Sequence, residues 1–183
     1  MKIGFDLDGI FIDGPPFIPR GLLEWLYRGP QNHEPKYRFP STRLEQKIRK
    51  WSHQPILRPQ ISKNAEFLKT FSDRGNHQFF LISSRYKFLE NETLDILKKY
   101  GLRNHFLKIY LNDKNEQPHL FKKRILENLN LDIFIEDDLM LLSYLQKFFP
   151  KCKLLWYNPN NMRKSYAGIT RIKNLKELQN YLK

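Results

Sequence analysis

Carboxylates are concentrated in two separated places in this otherwise basic sequence. Asp6 and Asp8 follow the apolar run KIGF, and Glu136, Asp137 and Asp138 follow the apolar run IFI. Carboxylates that converge repel one another and raise each other's pKa unless a cation lies among them. Oxygen donors without His or Cys favour Mg²⁺ over zinc. The two groups therefore predict a magnesium site, provided that the fold brings them together.

Hydroxyls and ammonium groups occur at comparable positions. Ser83 and Ser84 end the apolar run FFLI and are followed by Arg85. Lys122 and Lys123 lie in the segment HLFKKRILENLN, which directly precedes the second acidic group. Each of these residues is weak evidence for a functional site by itself, because hydroxyls often cap strands and most lysines on helices are exposed to solvent.

The elements that must position these residues alternate between strands and helices. Short apolar runs predict strands at 2–6, 77–83, 106–111, 131–136 and 151–157. Amphipathic segments predict helices at 64–75, 86–101, 119–130, 139–149 and 175–182. Such alternation indicates a mainly parallel sheet covered on both faces, a Rossmann-like three-layer α/β sandwich. In such a sheet ligands bind at the carboxyl ends of the strands, where the acidic groups, the serines and the lysines would meet.

One segment interrupts the alternation. Residues 14–62 contain prolines, a helical pattern in GLLEWLYR and a second helix signal at STRLE, and they show no strand pattern. We interpret them as a small helical cap inserted after the first strand. The predicted core is then 1–13 plus 63–183.

FDLDG, LISSR, Lys122 and FIEDD, in that order, resemble the four motifs of the haloacid dehalogenase superfamily of phosphohydrolases. The resemblance spans about residues 2–138. Within the superfamily, the sequence is most similar to the small, helical-cap, 5′-nucleotidase-like phosphatases. The resemblance implies a Mg²⁺-dependent phosphatase that acts through an aspartyl-phosphate.

The resemblance also implies roles for individual residues. Asp6 would be the nucleophile, and Asp8 the general acid and base. Ser83 and Lys122 would bind the transferring phosphoryl group, with Lys123 as the alternative lysine. The Mg²⁺ ligands would be the side chains of Asp6, Asp137 and Glu136 and the backbone carbonyl of Asp8, whereas Asp138 would lie outside the ligand set.

The phosphate cradle would include the backbone amides of Leu7 and Ser84. Ile10 departs from the family pattern, which usually has Thr or Val at this position. Ile keeps the apolar β-branched shape but lacks the threonine hydroxyl.

The inserted segment is the part expected to select the substrate. It carries a net charge of +6 and several aromatic residues, which suits a nucleotide or another small phosphorylated metabolite. Phe17 and Arg20, nearest the first motif, are the predicted pocket residues. Arg85 either faces the same pocket or forms a structural ion pair.

Composition limits the remaining possibilities. The chain has 183 residues and a net charge of +13, with 32 basic and 19 acidic side chains. Its one cysteine excludes a disulfide scaffold within the chain. No apolar run approaches the roughly 18 residues of a membrane span, and no signal-peptide pattern is present, so we expect a cytoplasmic protein without a membrane partner.

The net positive charge is compatible with two alternative functions. One is a phosphatase that acts on nucleic-acid ends, which the positive charge would attract. The other is a non-catalytic, basic nucleic-acid-binding protein on the same fold. We favour the small phosphorylated substrate because the positive charge surrounds an acidic, metal-binding edge.

Overall fold

The computed structural model describes residues 1–16, 35–72, 77–160 and 166–182. In this part of the chain six strands form one sheet, in the order β3-β2-β1-β4-β5-β6, and all neighbouring strands are parallel. The strands are β1 (Lys2–Phe5), β2 (Gln78–Tyr86), β3 (Lys108–Asn112), β4 (Ile133–Glu136), β5 (Lys153–Tyr157) and β6 (Ile169–Ile172). The first strand therefore occupies the middle of the sheet, between β2 and β4.

Helical elements connect the strands. They are α1 (Arg43–Ser52), α2 (Ser62–Ser72), α3 (Glu90–Lys99), α4 (Pro118–Leu129) and α5 (Leu139–Leu145), with 3₁₀ segments at Lys87–Leu89, Arg103–His105 and Leu175–Tyr181. Pro118 starts α4, where its missing N–H costs no hydrogen bond. Asn130 ends α4 in the left-handed conformation that Asn tolerates.

Two apolar layers hold the helices against the sheet. On one face Phe5 and Ile135 belong to a core that includes α2, α3 and the C-terminal 3₁₀ segment. On the other face Ile82 and Phe134 pack in a core with α4 and α5. Alternating strand residues thus enter opposite cores, as the geometry of a strand requires. The predicted three-layer α/β architecture is confirmed.

The sequence-based prediction of elements differs from the structure at three places. It omitted β6, whose four residues pair with β5. It predicted a helix at 175–182 without specifying its type, and this segment is a 3₁₀ helix over Leu175–Tyr181. It also ended the second strand at Ser83, whereas β2 continues to Tyr86 with an irregular register against β3 after Ser83.

The described part of the inserted segment contains α1. Thr42 caps the helix, since its hydroxyl accepts from the Glu45 amide while the Glu45 carboxylate accepts from the Thr42 amide. None of the residues of α1 is buried, and Leu44, Ile48 and Trp51 are exposed. The predicted helix in GLLEWLYR lies outside the described residues.

Within the described residues, no helix combines the length and the apolar character that crossing a membrane requires.

Candidate active site

The two central strands position the acidic residues at the carboxyl edge of the sheet. β1 and β4 are neighbours, with Phe5 opposite Ile135. Asp6 directly follows β1, and its amide donates to the Ile135 carbonyl at 3.0 Å. Glu136 is the last residue of β4. The strand register therefore brings together two acidic segments that are 130 residues apart in the chain.

Three carboxylates form a cluster with the chemistry of a Mg²⁺ site. One oxygen from each of Asp6, Glu136 and Asp137 lies within 4.8 Å of the other two. Asp6 and Glu136 are buried, whereas Asp137 is exposed. An all-oxygen donor set that includes an accessible carboxylate fits Mg²⁺, which binds through a few carboxylates and keeps several waters.

Lys122 lies between two of these carboxylates. Its buried Nζ donates to Asp6 Oδ1 at 2.7 Å and also to the Glu136 carboxylate. Lys123, the alternative lysine, is partly exposed and approaches Glu127 at 3.6 Å and the Phe148 ring. The structure therefore places Lys122, and not Lys123, against the predicted nucleophile.

Burial and charge shift the pKa values of the cluster. Burial raises the pKa of Asp6 and of Glu136 despite the opposing charge of Lys122. Burial would lower the pKa of Lys122, but the charges of Asp6 and Glu136 outweigh it and raise that pKa. Asp137 is exposed as a residue, but its carboxyl lies within the cluster, where desolvation, followed by the charges of Asp6 and Asp138, raises its pKa to about 7. Lys122 is one cation beside the three carboxylates of the cluster, and a further cation bound there would stabilise their charged forms.

The loop after β1 is closed by its own backbone. The Gly9 amide donates to the Ile12 carbonyl, and the Phe11 amide to the Leu7 carbonyl. Gly9 has φ +73°, and a Cβ there would lie 1.9 Å from Asp137 Oδ2. Glycine is required on both grounds, because a side chain would be strained and would displace the Asp137 carboxylate.

Asp8 faces a different group of residues. Its carboxylate accepts two hydrogen bonds from Arg85, at 2.7 and 2.6 Å, and lies 3.8 Å from a terminal nitrogen of Arg58. Burial by itself would raise the pKa of Asp8, but the hydrogen bonds and charge of Arg85 and the charge of Arg58 hold it well below its usual range. In the described state the Asp8 side chain is therefore a paired carboxylate and carries no proton.

His53 orients Arg58. His53 Nε2 accepts from an Arg58 terminal nitrogen at 2.6 Å, and Nδ1 lies 2.8 Å from the Arg49 carbonyl, to which it donates. Burial and then the charges of Arg58 and Arg85 lower the pKa of His53 well below its usual value, so the ring is neutral. Sequence reasoning missed both residues, because a linker sequence does not indicate which part of the core it contacts.

The remaining predicted residues of the second motif lie on β2, the strand beside β1. Ser83 is buried and follows Leu81, the register partner of Phe5, by two residues. Ser84 is half-buried, and its carbonyl accepts from the Asn112 side chain at 3.3 Å. Arg85 is buried and contacts Thr93 as well as Asp8. Phe17 and Arg20, the predicted pocket residues of the inserted segment, lie outside the described residues.

Residues 35–40 run along the same edge of the sheet. The Tyr37 hydroxyl donates to Asp138 at 2.7 Å, and the Tyr37 amide donates to Gln117. Asp138 also caps α5 by accepting from the amides of Met140 and Leu141. Tyr37 carried no signal in the sequence beyond its aromatic character, and its contacts tie the inserted segment to the acidic end of β4.

Comparisons by sequence find no known relative. No family model matches this chain, and no curated protein matches it either.

Comparison by structure does find proteins of similar fold. A haloacid dehalogenase-like hydrolase from Streptococcus pneumoniae has 13% identity and a TM-score of 0.58, with 98% of this chain and 97% of that chain covered. The fold is that of the haloacid dehalogenase-like hydrolases. A further hydrolase of this kind, from Xanthomonas campestris, has 13% identity and a TM-score of 0.58, covering 99% of this chain and 93% of that one.

A third structure of the haloacid dehalogenase family was solved with ligands. It is an enzyme from Bacteroides thetaiotaomicron, an aspartate-to-alanine mutant in complex with magnesium and inorganic phosphate. It has 13% identity and a TM-score of 0.52, and covers 91% of this chain and 96% of that one. The haloacid dehalogenase-like fold predicted from the four motifs is therefore confirmed for this chain.

Proposed function

We propose that the protein is a Mg²⁺-dependent phosphomonoester hydrolase that acts through an aspartyl-phosphate intermediate. The observation that carries the proposal is the buried Asp6 carboxylate at the carboxyl edge of β1, held by Lys122 and clustered with Glu136 and Asp137. The magnesium and phosphate bound by the Bacteroides enzyme support the same chemistry on this fold.

The first step is attack by Asp6 on phosphorus. A carboxylate oxygen of Asp6 forms a bond to phosphorus, the bond to the leaving oxygen breaks, and the leaving oxygen takes a proton from Asp8. Lys122 keeps the Asp6 side chain in place and adds positive charge next to the phosphoryl oxygens. Ser83, on the neighbouring strand, supplies a hydroxyl to the same group.

The second step releases the phosphate. Asp8 takes a proton from water, which attacks the aspartyl-phosphate, restores the Asp6 carboxylate and frees inorganic phosphate. Asp6, Glu136 and Asp137, with the backbone carbonyl of Asp8, would hold the Mg²⁺, which when bound neutralises charge on the phosphoryl oxygens.

Asp8 must leave Arg85 before it can carry a proton. A carboxylate that accepts two hydrogen bonds from a guanidinium is stabilised in its charged form. Binding of the substrate therefore has to weaken this pair.

We further propose that the substrate is a nucleotide or another small phosphorylated metabolite, as in 5′-nucleotidase-like phosphatases. Residues 14–62 would act as the cap that selects it. Exposed Phe39, which packs edge-on against Tyr86 beside the site, and the basic residues of α1 support a planar, anionic substrate.

Hydrolysis of p-nitrophenyl phosphate tests the proposed function. We expect turnover with Mg²⁺, its loss when a chelator removes the metal, and a reduction of about 10³-fold or more in Asp6→Asn. Asp95→Asn, an exposed carboxylate on α3, is the matched control and should keep full activity. A wild-type protein that is inactive with every divalent metal would contradict the proposal.

A further inference from the structure

Two buried guanidinium groups meet one carboxylate beside the proposed nucleophile. The side chains of Arg58 and Arg85 are 5% and 4% exposed, whereas that of Asp8 is 37% exposed. The Asp8 carboxylate therefore lies between the two guanidinium groups and solvent. An anion that arrives from solvent would have to displace this carboxylate in order to contact the arginines.

Arg58 is the less satisfied of the two arginines. Arg85 already holds both oxygens of Asp8, and the Arg58 contact with this carboxylate is long, at 3.8 Å. The buried Arg58 Nε has no hydrogen-bond partner among the residues that the structure describes. A buried guanidinium with an unused donor and a distant counter-charge is costly unless an anion completes it.

The rest of the environment holds Arg58 in position without neutralising it. Its terminal nitrogens donate to His53 Nε2 at 2.6 Å and to the Asp13 carbonyl at 3.4 Å, and both acceptors are uncharged. The Arg49 carbonyl fixes His53 from the other side. The guanidinium is thus oriented before a ligand binds, which lowers the entropic cost of recognising one.

We infer that Arg58 binds a second anionic group on the substrate, a phosphate or a carboxylate carried by the leaving group. This inference rests on the proposed function, which places the leaving group at Asp8. The second anion would compete with Asp8 for the arginines and so release the carboxylate that must carry the proton. A substrate without this group would leave Asp8 paired with Arg85 and would react more slowly.

Matched substrate pairs test the inference. One pair is phosphoglycolate and ethyl phosphate, which differ in a carboxylate. The other is adenosine 3′,5′-bisphosphate and adenosine 5′-monophosphate, which differ in a phosphate. We expect the wild-type kcat/KM to favour the anion-bearing member by about tenfold or more in at least one pair, and that pair identifies the anion. Ratios near one in both pairs would overturn the inference while leaving the proposed function intact.

Substitutions of Arg58 test whether this residue causes the preference for the anion-bearing substrate. Arg58→Gln should bring the ratio close to one, and Arg58→Lys, which keeps the charge but loses the planar fork, should give an intermediate ratio. The control Arg103→Gln, on an exposed 3₁₀ segment that precedes β3, should keep the wild-type ratio. A preference of wild-type size in a folded Arg58→Gln, or in Arg58→Lys if the first variant does not fold, would assign the preference to another residue.

The inference about Arg58 can also be tested if the protein shows no phosphatase activity. If the wild-type protein hydrolyses neither p-nitrophenyl phosphate nor any of the four esters, calorimetric binding of the same pairs to the wild type and to Asp6→Asn still decides the inference. Tighter binding of the anion-bearing member supports it, and equal or absent binding overturns it.

Discussion

Lys122 compensates two buried carboxylates at once, so its removal should affect stability as well as the proposed catalysis. In Lys122→Met the carboxylates of Asp6 and Glu136 would lose the cation between them. We expect the free energy of unfolding of the metal-free protein to fall by about 3–5 kcal/mol in denaturant titrations. Lys123→Met, next to it on α4 but partly exposed, should change it by no more than about 0.5 kcal/mol. Equal losses in the two variants would contradict this assignment.

The raised pKa of Asp137 predicts how Mg²⁺ binding depends on pH. Its pKa of about 7 means that the carboxyl is mainly protonated at pH 6 and ionised at pH 8. Mg²⁺ must displace that proton, so its affinity should fall by up to about tenfold per pH unit below pH 7. Titration calorimetry in buffers of different ionisation enthalpy would measure both the affinity and the proton released. An affinity that is constant between about pH 6 and 8 would contradict the prediction.

At the scale of elements, α1 depends on its ends because it buries no side chain. The Thr42 cap should therefore be important for local stability. We expect Thr42→Ala to lower the local opening free energy of α1 by about 1 kcal/mol, which hydrogen exchange would show as roughly fivefold faster exchange of the amides of α1. Ser41→Ala is the control, since Ser41 is exposed and precedes the cap residue. Equal exchange in the two variants would argue against the cap.

Sequence periodicity predicted most of the elements that build the site, and its errors include β6, at one edge of the sheet, and the end of β2. β1, β4 and α4 could be predicted because each is an apolar or amphipathic run that ends in polar residues. β6 could not, since ITRI is short and half-buried. The C-terminal segment has a helical pattern, but the pattern does not distinguish 3₁₀ from α geometry.

The acidic cluster and the Asp8 contacts differ in how far they could be predicted. The cluster was predictable because parallel strands bring their carboxyl ends to one edge, and Asp6 and Glu136 lie directly at strand ends. An ion pair of Arg85 was one of the two alternatives that the sequence left open, and the structure shows it with Asp8. Neither that partner nor the approach of Arg58 could be predicted, because both depend on side-chain direction and on where residues 53–60 dock.

At the scale of the whole molecule, the positive charge is not confined to the proposed active site. β1, β3 and β5 each begin with an exposed lysine, Lys2, Lys108 and Lys153, at the amino edge of the sheet, which is the edge opposite the acidic cluster. A dispersed charge attracts anions in general but does not form a continuous track for a nucleic-acid backbone.

This distribution of charge predicts that kcat/KM for a small substrate depends only weakly on salt concentration. We expect kcat/KM to be higher for a mononucleotide than for a 5′-phosphorylated oligonucleotide, and to change little for the mononucleotide between about 50 and 200 mM salt. Steady-state rates on the two substrates across that range would measure it. A steep fall for the oligonucleotide alone, combined with a preference for it at low salt, would instead support action on nucleic-acid ends.

The central position of β1 also determines when the site can form during synthesis. β1 is made first, yet one of its two neighbours is β4, and Lys122 follows Asp6 by 116 residues. A nascent chain that has not yet reached Lys122 contains neither this lysine nor β4. One edge of β1 is then open, and the Asp6 carboxylate lacks its ammonium partner. Because unpaired strand edges promote association between chains, a product that stops at this stage should aggregate rather than persist as single chains.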